Sequence, residues 1–92
     1  MVTLILLMSA CGGSSGLSEA KLAYKDGLDA SGQGLITEAI SHFDKAIQLD
    51  PYDSLLLAMA YDGRGLAYRM LGRNAEADAD EAKACSVDSQ YC

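Results

Sequence analysis

Apolar residues follow two patterns along the chain. At the start they are continuous: Val2 to Ala10 carries no charge, and Leu4 to Met8 is wholly apolar. Further on they recur at helical spacing, which lays them along one face of a helix. Leu22, Ala23, Gly27 and Ala30 predict a first helix from about Glu19 to Ala30, capped by Ser18. Ala39, Ile40, Phe43, Ala46 and Ile47 predict a second, from about Leu35 to Leu49. Asp50-Pro51 stops it, because the residue before a proline is pushed out of the helical region. Leu57, Tyr61, Gly65 and Tyr68 predict a third, capped by Asp53 or Ser54 and running to Met70. Ala77, Ala84 and Val87 predict a fourth, capped by Asn74 and running to about Cys85. Glu76 falls in its first turn, where a negative charge suits the helix dipole. The expected fold class is all-α, with four helices.

The four faces repeat. Gly27, Gly34, Glu38, Ala39, Ala46 and Asp50 each have an identical residue 38 positions on, at Gly65, Gly72, Glu76, Ala77, Ala84 and Asp88. Self-similarity at one offset is the mark of an internal repeat, here of two helical hairpins. A glycine inside a helix costs about 1 kcal/mol against alanine, so its presence needs a structural return. Close approach of two helices, near about 8 Å between axes, supplies one. Gly27 and Gly65 are therefore expected to pack against the following helix, with Ala39, Ala46, Ala77 and Ala84 keeping that helix slim. Gly34 and Gly72 sit between periodic segments, where a turn glycine belongs.

These residues resemble the tetratricopeptide repeat. The first copy carries the resemblance through Gly27, Gly34, Glu38-Ala39, Phe43, Ala46-Ile47 and Leu49-Asp50-Pro51. The second does so through Gly65, Ala67-Tyr68, Leu71-Gly72, Glu76-Ala77, Lys83-Ala84 and Val87-Asp88. It departs from the pattern at Glu81, which stands where the first copy has Phe43, and at Cys85, where an Ile is common. The first copy has Ala30 where the second has Tyr68. The family period is about 34 residues, and the extra four here fall in Ser54-Leu55-Leu56-Leu57. Four residues are close to one helical turn, so the third helix is expected to be longer at its start with its packing face preserved. The resemblance implies two tandem hairpins forming a fragment of a right-handed α-solenoid. In that family the first helices of successive repeats line a concave groove for an extended peptide or a partner's helix. Mapped residue by residue, the groove takes Lys21, Tyr24, Leu28 and Ser31 from the first helix. The third helix adds Leu55, Met59, Asp62, Leu66, Arg69 and Met70. The residues that hold the repeats together are then Gly27, Ala39, Phe43, Ala46, Gly65, Tyr68, Ala77 and Ala84. Family members that clamp a terminal carboxylate use Lys and Asn in the groove, whereas Tyr24, Leu28, Asp62 and Leu66 suit an apolar peptide or amphipathic helix. The alternative for Leu55, Met59 and Leu66 is ordinary packing or a contact between copies.

The opening run is too short to cross a membrane, which takes roughly 20 residues of helix, but it suits the apolar core of a secretory signal. Met8-Ser9-Ala10-Cys11 followed by Gly12-Gly13-Ser14-Ser15-Gly16 resembles a bacterial lipoprotein signal. In that reading Cys11 receives diacylglycerol and becomes the mature N-terminus, anchoring the chain to a membrane. No Lys or Arg precedes the apolar run, which departs from such signals. The alternative is an unstructured start with a buried cysteine. The organisation expected is a signal segment over 1–10, a tether over 11–17 and a two-repeat domain over 18–92, with repeats at 20–53 and 54–88. No Asp stands at position 12, which in a two-membrane bacterium favours the periplasmic face of the outer membrane.

Charge excludes one class of partner. The net charge of −6 and a pI near 4.4 leave no basic patch to neutralise phosphates, so nucleic acid is not expected. No catalytic constellation is visible. His42, the only histidine, is expected on the outer side of the second helix with no nucleophile near it in sequence. Glu76, Asp78, Asp80 and Glu81 read as an acidic solvent face, without the loop geometry of a calcium site. Neither a metal nor a cofactor is implied. Cys85 and Cys92 leave two readings open: a disulfide formed in an oxidising compartment, or a buried Cys85 with a loose Cys92. The function expected is a non-catalytic adaptor for a protein or peptide partner; the alternative is a structural subunit that associates with copies of itself.

Overall fold

The computed structural model describes residues 16–49 and 51–92, with side-chain surroundings from Glu19 onward. Four helices and a closing turn make up this part: α1 (Gly16–Gly32), α2 (Ile36–Gln48), α3 (Ser54–Met70), α4 (Asn74–Val87) and a 3-10 turn over Ser89–Tyr91. No strand occurs among the described residues. Each helix packs on the next, and α1 also touches α3.

The signal segment and Cys11 lie outside the described residues, as does Asp50. The helix α1 begins earlier than the expected Glu19, with Gly16 and Leu17 already in it. Ser18 is therefore inside the helix and not its cap. Ala20, fully buried, anchors the opening turn. The helix α1 thus starts 38 residues before α3 and has the same 17-residue length. The extra turn expected at the start of α3 is matched in α1.

The two hairpin turns are copies of one another down to their hydrogen bonds. After α1, the amide of Leu35 donates to the Ala30 carbonyl at 2.9 Å, and that of Gly34 to Ser31 at 3.0 Å. After α3, Arg73 donates to Tyr68 at 2.9 Å and Gly72 to Arg69 at 3.0 Å, the same pairs moved by 38 residues. This double bond pattern ends a helix when one residue turns left-handed, a conformation that favours glycine. Gly34 has φ +81° and Gly72 has φ +79°. At the second turn the Arg73 guanidinium also lies 4.8 Å from the centre of the Tyr68 ring.

Helix entries differ in how they are capped. Asp53 caps α3, its side chain accepting from the Leu56 amide at 3.2 Å. Asn74 does not cap α4. The residue at the cap is Arg73, whose backbone carbonyl accepts from Ala77 while its side chain bonds Glu76 instead of the helix. The turn made by Gly72 sets this geometry, and Leu35 occupies the equivalent place before α2, also without a side-chain cap.

The core is built around small residues and one ring. Phe43 on α2 is buried against the bare α-carbons of Gly27 on α1 and Gly63 on α3. A methyl group at Gly27 would come within 2.6 Å of the ring, and one at Gly63 within 2.8 Å. Beside the ring, Ala23, Ala46 and Ala60 bring α1, α2 and α3 together. Gly65 faces α4, where an added methyl would sit 3.2 Å from the Asp80 Cβ and 3.3 Å from the Ala77 carbonyl. Ala39, Ala46, Ala77 and Ala84 are all buried, and Tyr68 is half-buried.

At Leu22 and Asp80 the expected faces are overturned. Leu22 does not pack inward: it is 60% exposed, whereas its equivalent in the repeat, Ala60, is fully buried. The helix α3 has neighbours on both sides, and α1 has none on its outer side among the described residues. Asp80 is not on a solvent face; it is 5% exposed. Its carboxylate accepts from Arg64 Nε at 2.9 Å and Nη2 at 2.8 Å. The same guanidinium donates through Nη1 to Asp44 at 2.6 Å. Arg64 thus ties α2, α3 and α4 together, flanked by the rings of Tyr61 and Tyr68. Two planar ion-pair contacts on one buried carboxylate are the arrangement in which a guanidinium tolerates partial burial.

Candidate partner-binding groove

Between α1 and α3 lies an open groove of about 530 Å³. Lys21, Leu22, Tyr24 and Lys25 line it from α1, and Leu56 and Met59 from α3. The α1 residues share one flank of the helix because three- and four-residue steps return to the same side. Leu56 reaches the groove from the extra turn of α3 and is buried there. The walls are mainly apolar, and two lysines stand at the rim. An apolar surface beside two cations is complementary in chemistry to an apolar group carrying a negative charge.

Tyr24 forms the floor. Its ring meets Phe43 with centroids 5.7 Å apart and planes tilted by 47°. Burial raises the pKa of its hydroxyl, and the nearby Tyr91 and Asp62 add to the rise. Burial also raises the pKa of Asp62, followed by repulsion from Glu81. Tyr91 is raised by burial, then by Asp62 and Asp88. The end of the chain therefore lies within electrostatic reach of the groove floor. A disulfide between Cys85 and Cys92 holds it there, with Cα atoms 4.6 Å apart. Of the two readings open for these cysteines, the paired one describes the structure. Asp88 starts the closing turn, its side chain accepting from the Gln90 amide at 2.9 Å.

Of the residues expected in the groove, Lys21, Tyr24 and Met59 line this cavity. Leu28, Leu55, Leu66 and Met70 are exposed apolar residues outside it. Asp62 is half-buried beside it. Arg69 is turned away to α4, where it donates to Asp78 at 2.9 Å and Glu81 at 2.7 Å. Leu22, Lys25 and Leu56 were not expected. The four-residue insertion was the available signal for Leu56, since an added turn must present its apolar residues somewhere.

His42 is half-buried, not on the open outer surface, and stands at the place in the first hairpin that Asp80 takes in the second. Asp78, Asp80 and Glu81 each hold an arginine. Among the described residues, no three His, Cys, Asp or Glu side chains are placed to hold a metal ion. No helix there is long and apolar enough to cross a membrane.

The chain is similar to an uncharacterized protein of Methanocaldococcus jannaschii, with 34% identity over 61 residues. The matched stretch is 66% of this chain and 66% of that protein. No protein-family model matches the chain. No solved structure matches it either.

Proposed function

We propose that the chain is a non-catalytic adaptor of the tetratricopeptide-repeat type, holding a peptide or amphipathic helix in the groove between α1 and α3. The observation that carries this reading is the groove itself: an open, mainly apolar cavity of about 530 Å³ lined by Lys21, Leu22, Tyr24, Lys25, Leu56 and Met59. The repeated hairpin supports the family assignment, since the two turns share their hydrogen bonds at a 38-residue offset and both end on a left-handed glycine. In such an array the two hairpins form a short right-handed solenoid with α1 and α3 on its concave side. An apolar stripe on the ligand would enter between Leu56, Met59 and Leu22, and an acidic side chain would meet Lys21 and Lys25. Cys11, as the lipid-bearing residue of a bacterial-type lipoprotein, would hold this module at the cell envelope.

The test is a titration of the full chain with synthetic amphipathic peptides, followed by amide chemical shifts. Peptides with an apolar stripe and flanking acids should move the resonances of residues 21–25 and 56–59, and Met59→Asp should abolish the shifts. Shifts confined to other surfaces, or binding unaffected by Met59→Asp, would remove the groove from the proposal. For the anchor, Cys11→Ser should release the chain from the membrane fraction of a bacterial host. Unchanged retention would end that part of the reading.

A further inference from the structure

The repeat relates the outer side of α1, which shares Leu22 and Lys25 with the groove, to that of α4. Inside the molecule, the second hairpin docks on the first by placing Gly63 of α3 against the Phe43 ring of α2. Moving this pair by 38 residues in opposite senses puts Lys25 of α1 in the place of Gly63, and Glu81 of α4 in the place of Phe43. The places of the internal ring and glycine are thus held, on the outer sides of α4 and α1, by a pair of opposite charges. Lys25 is exposed and only loosely paired with Asp29, at 3.8 Å. Lys21, Asp26 and Asp29 stand around it, so this edge of α1 carries no net charge and Lys25 is the cation in register with Glu81. On α4, Arg69 is shared between Asp78 and Glu81, so that edge carries one negative charge in excess. Leu22, at the place of the buried Ala60, stays 60% exposed on the α1 side.

We infer that α4 of one copy docks on the outer side of α1 of a second copy, in the register of the internal hairpin contact, with Glu81 against Lys25. The contact is head-to-tail, so it does not close into a symmetric pair and grows with concentration. Leu22 is covered in the process, and the groove continues from one copy to the next. Lys25 is longer than the glycine whose place it takes, which holds the copies further apart than the hairpins and keeps the association weak.

The experiment is sedimentation of the full-length chain over a range of concentration and salt. The wild type should exceed the mass of one copy at high micromolar concentration in low salt and lose mass as salt screens the pair. Lys25→Glu and Glu81→Lys should each weaken association about tenfold, since each replaces attraction by repulsion. The double variant should recover it, as should an equimolar mixture of the two single variants, in which every contact is again between opposite charges. Circular dichroism checks that each variant keeps its helices. A wild type that stays monomeric overturns the inference. So does a double variant that stays dissociated, or single reversals that associate as well as the wild type.

Discussion

The Phe43 ring lies against the α-carbon of Gly63 so closely that an added methyl would stand 2.8 Å from its Cε1 atom. Gly27 bounds the opposite side with still less room. The ring is thus the common element of both hairpins, and the space it fills is defined by hydrogen atoms on two other helices.

Alanine at Gly63 should therefore destabilise the protein, although alanine is the better helix former. The propensity gain is about 1 kcal/mol, and forcing extra volume into a packed core costs about 1–3 kcal/mol. Urea unfolding should show a lowered midpoint for Gly63→Ala and a larger drop for Gly27→Ala. Adding Phe43→Leu should recover part of the Gly63→Ala loss in a double-mutant cycle. Additive effects would mean that the ring and the glycine are not in contact.

The Arg64–Asp80 pair should be worth more than any other ion pair described. Asp80→Ala leaves a half-buried guanidinium with one remaining partner, and should cost about 3 kcal/mol. Asp44→Ala removes only the more exposed partner and should cost less, about 1 kcal/mol. Equal losses in chemical denaturation would show that Asp80 is not the buried anchor.

Asp62 predicts a pH dependence of definite sign. Burial, and then Glu81, raise the pKa of its carboxyl from its ordinary value in the folded chain. The folded state then holds the proton more tightly, so the contribution of Asp62 is fully present below the unfolded pKa and lost as pH rises through the folded one. Asp62→Asn should stabilise the protein at neutral pH, with the difference vanishing in acid. Glu76 works the other way. Hydrogen bonds from Arg73 lower its pKa, so its contribution is present above the unfolded value and lost as pH falls through the folded value. Unfolding midpoints of wild type, Asp62→Asn and Glu76→Gln across the acid range separate the two signs.

Reducing the Cys85–Cys92 disulfide should cost about 2 kcal/mol, the loop-closure contribution expected for a short ring. Cys92→Ser should reproduce the loss without reductant. It should also free Tyr91 from Tyr24 and Asp62, lowering the apparent pKa of the Tyr24 hydroxyl in a spectrophotometric titration. A tyrosine titration unchanged by reduction would show that the chain end does not depend on the bond.

Much of this architecture was legible in the sequence because it depends on residues that recur. Gly34 and Gly72 announced their turns, and Gly27 and Gly65 their close contacts. What does not recur was harder to read. Gly63 has Lys25 at the matching position, so the repeat concealed its role against Phe43. Asp80 sits among exposed carboxylates, and only the reach of Arg64 from 16 residues away makes it a buried anchor. Leu22 has the spacing of a packing residue, but α1, unlike α3, has no helix beyond it among the described residues. In the groove, Tyr24 and Met59 followed from their register, whereas Leu56 came with the inserted turn and Lys25 with the open side of α1.

The identical turns at Gly34 and Gly72 have an evolutionary corollary. A segment of one full period begins and ends in the same backbone geometry, so duplicating or excising it joins chain to chain without a new bend. Length can therefore change by whole units, while an insertion of two residues inside a helix would rotate every small side chain beyond it away from its neighbour. The molecule has the construction of something that lengthens by copying itself.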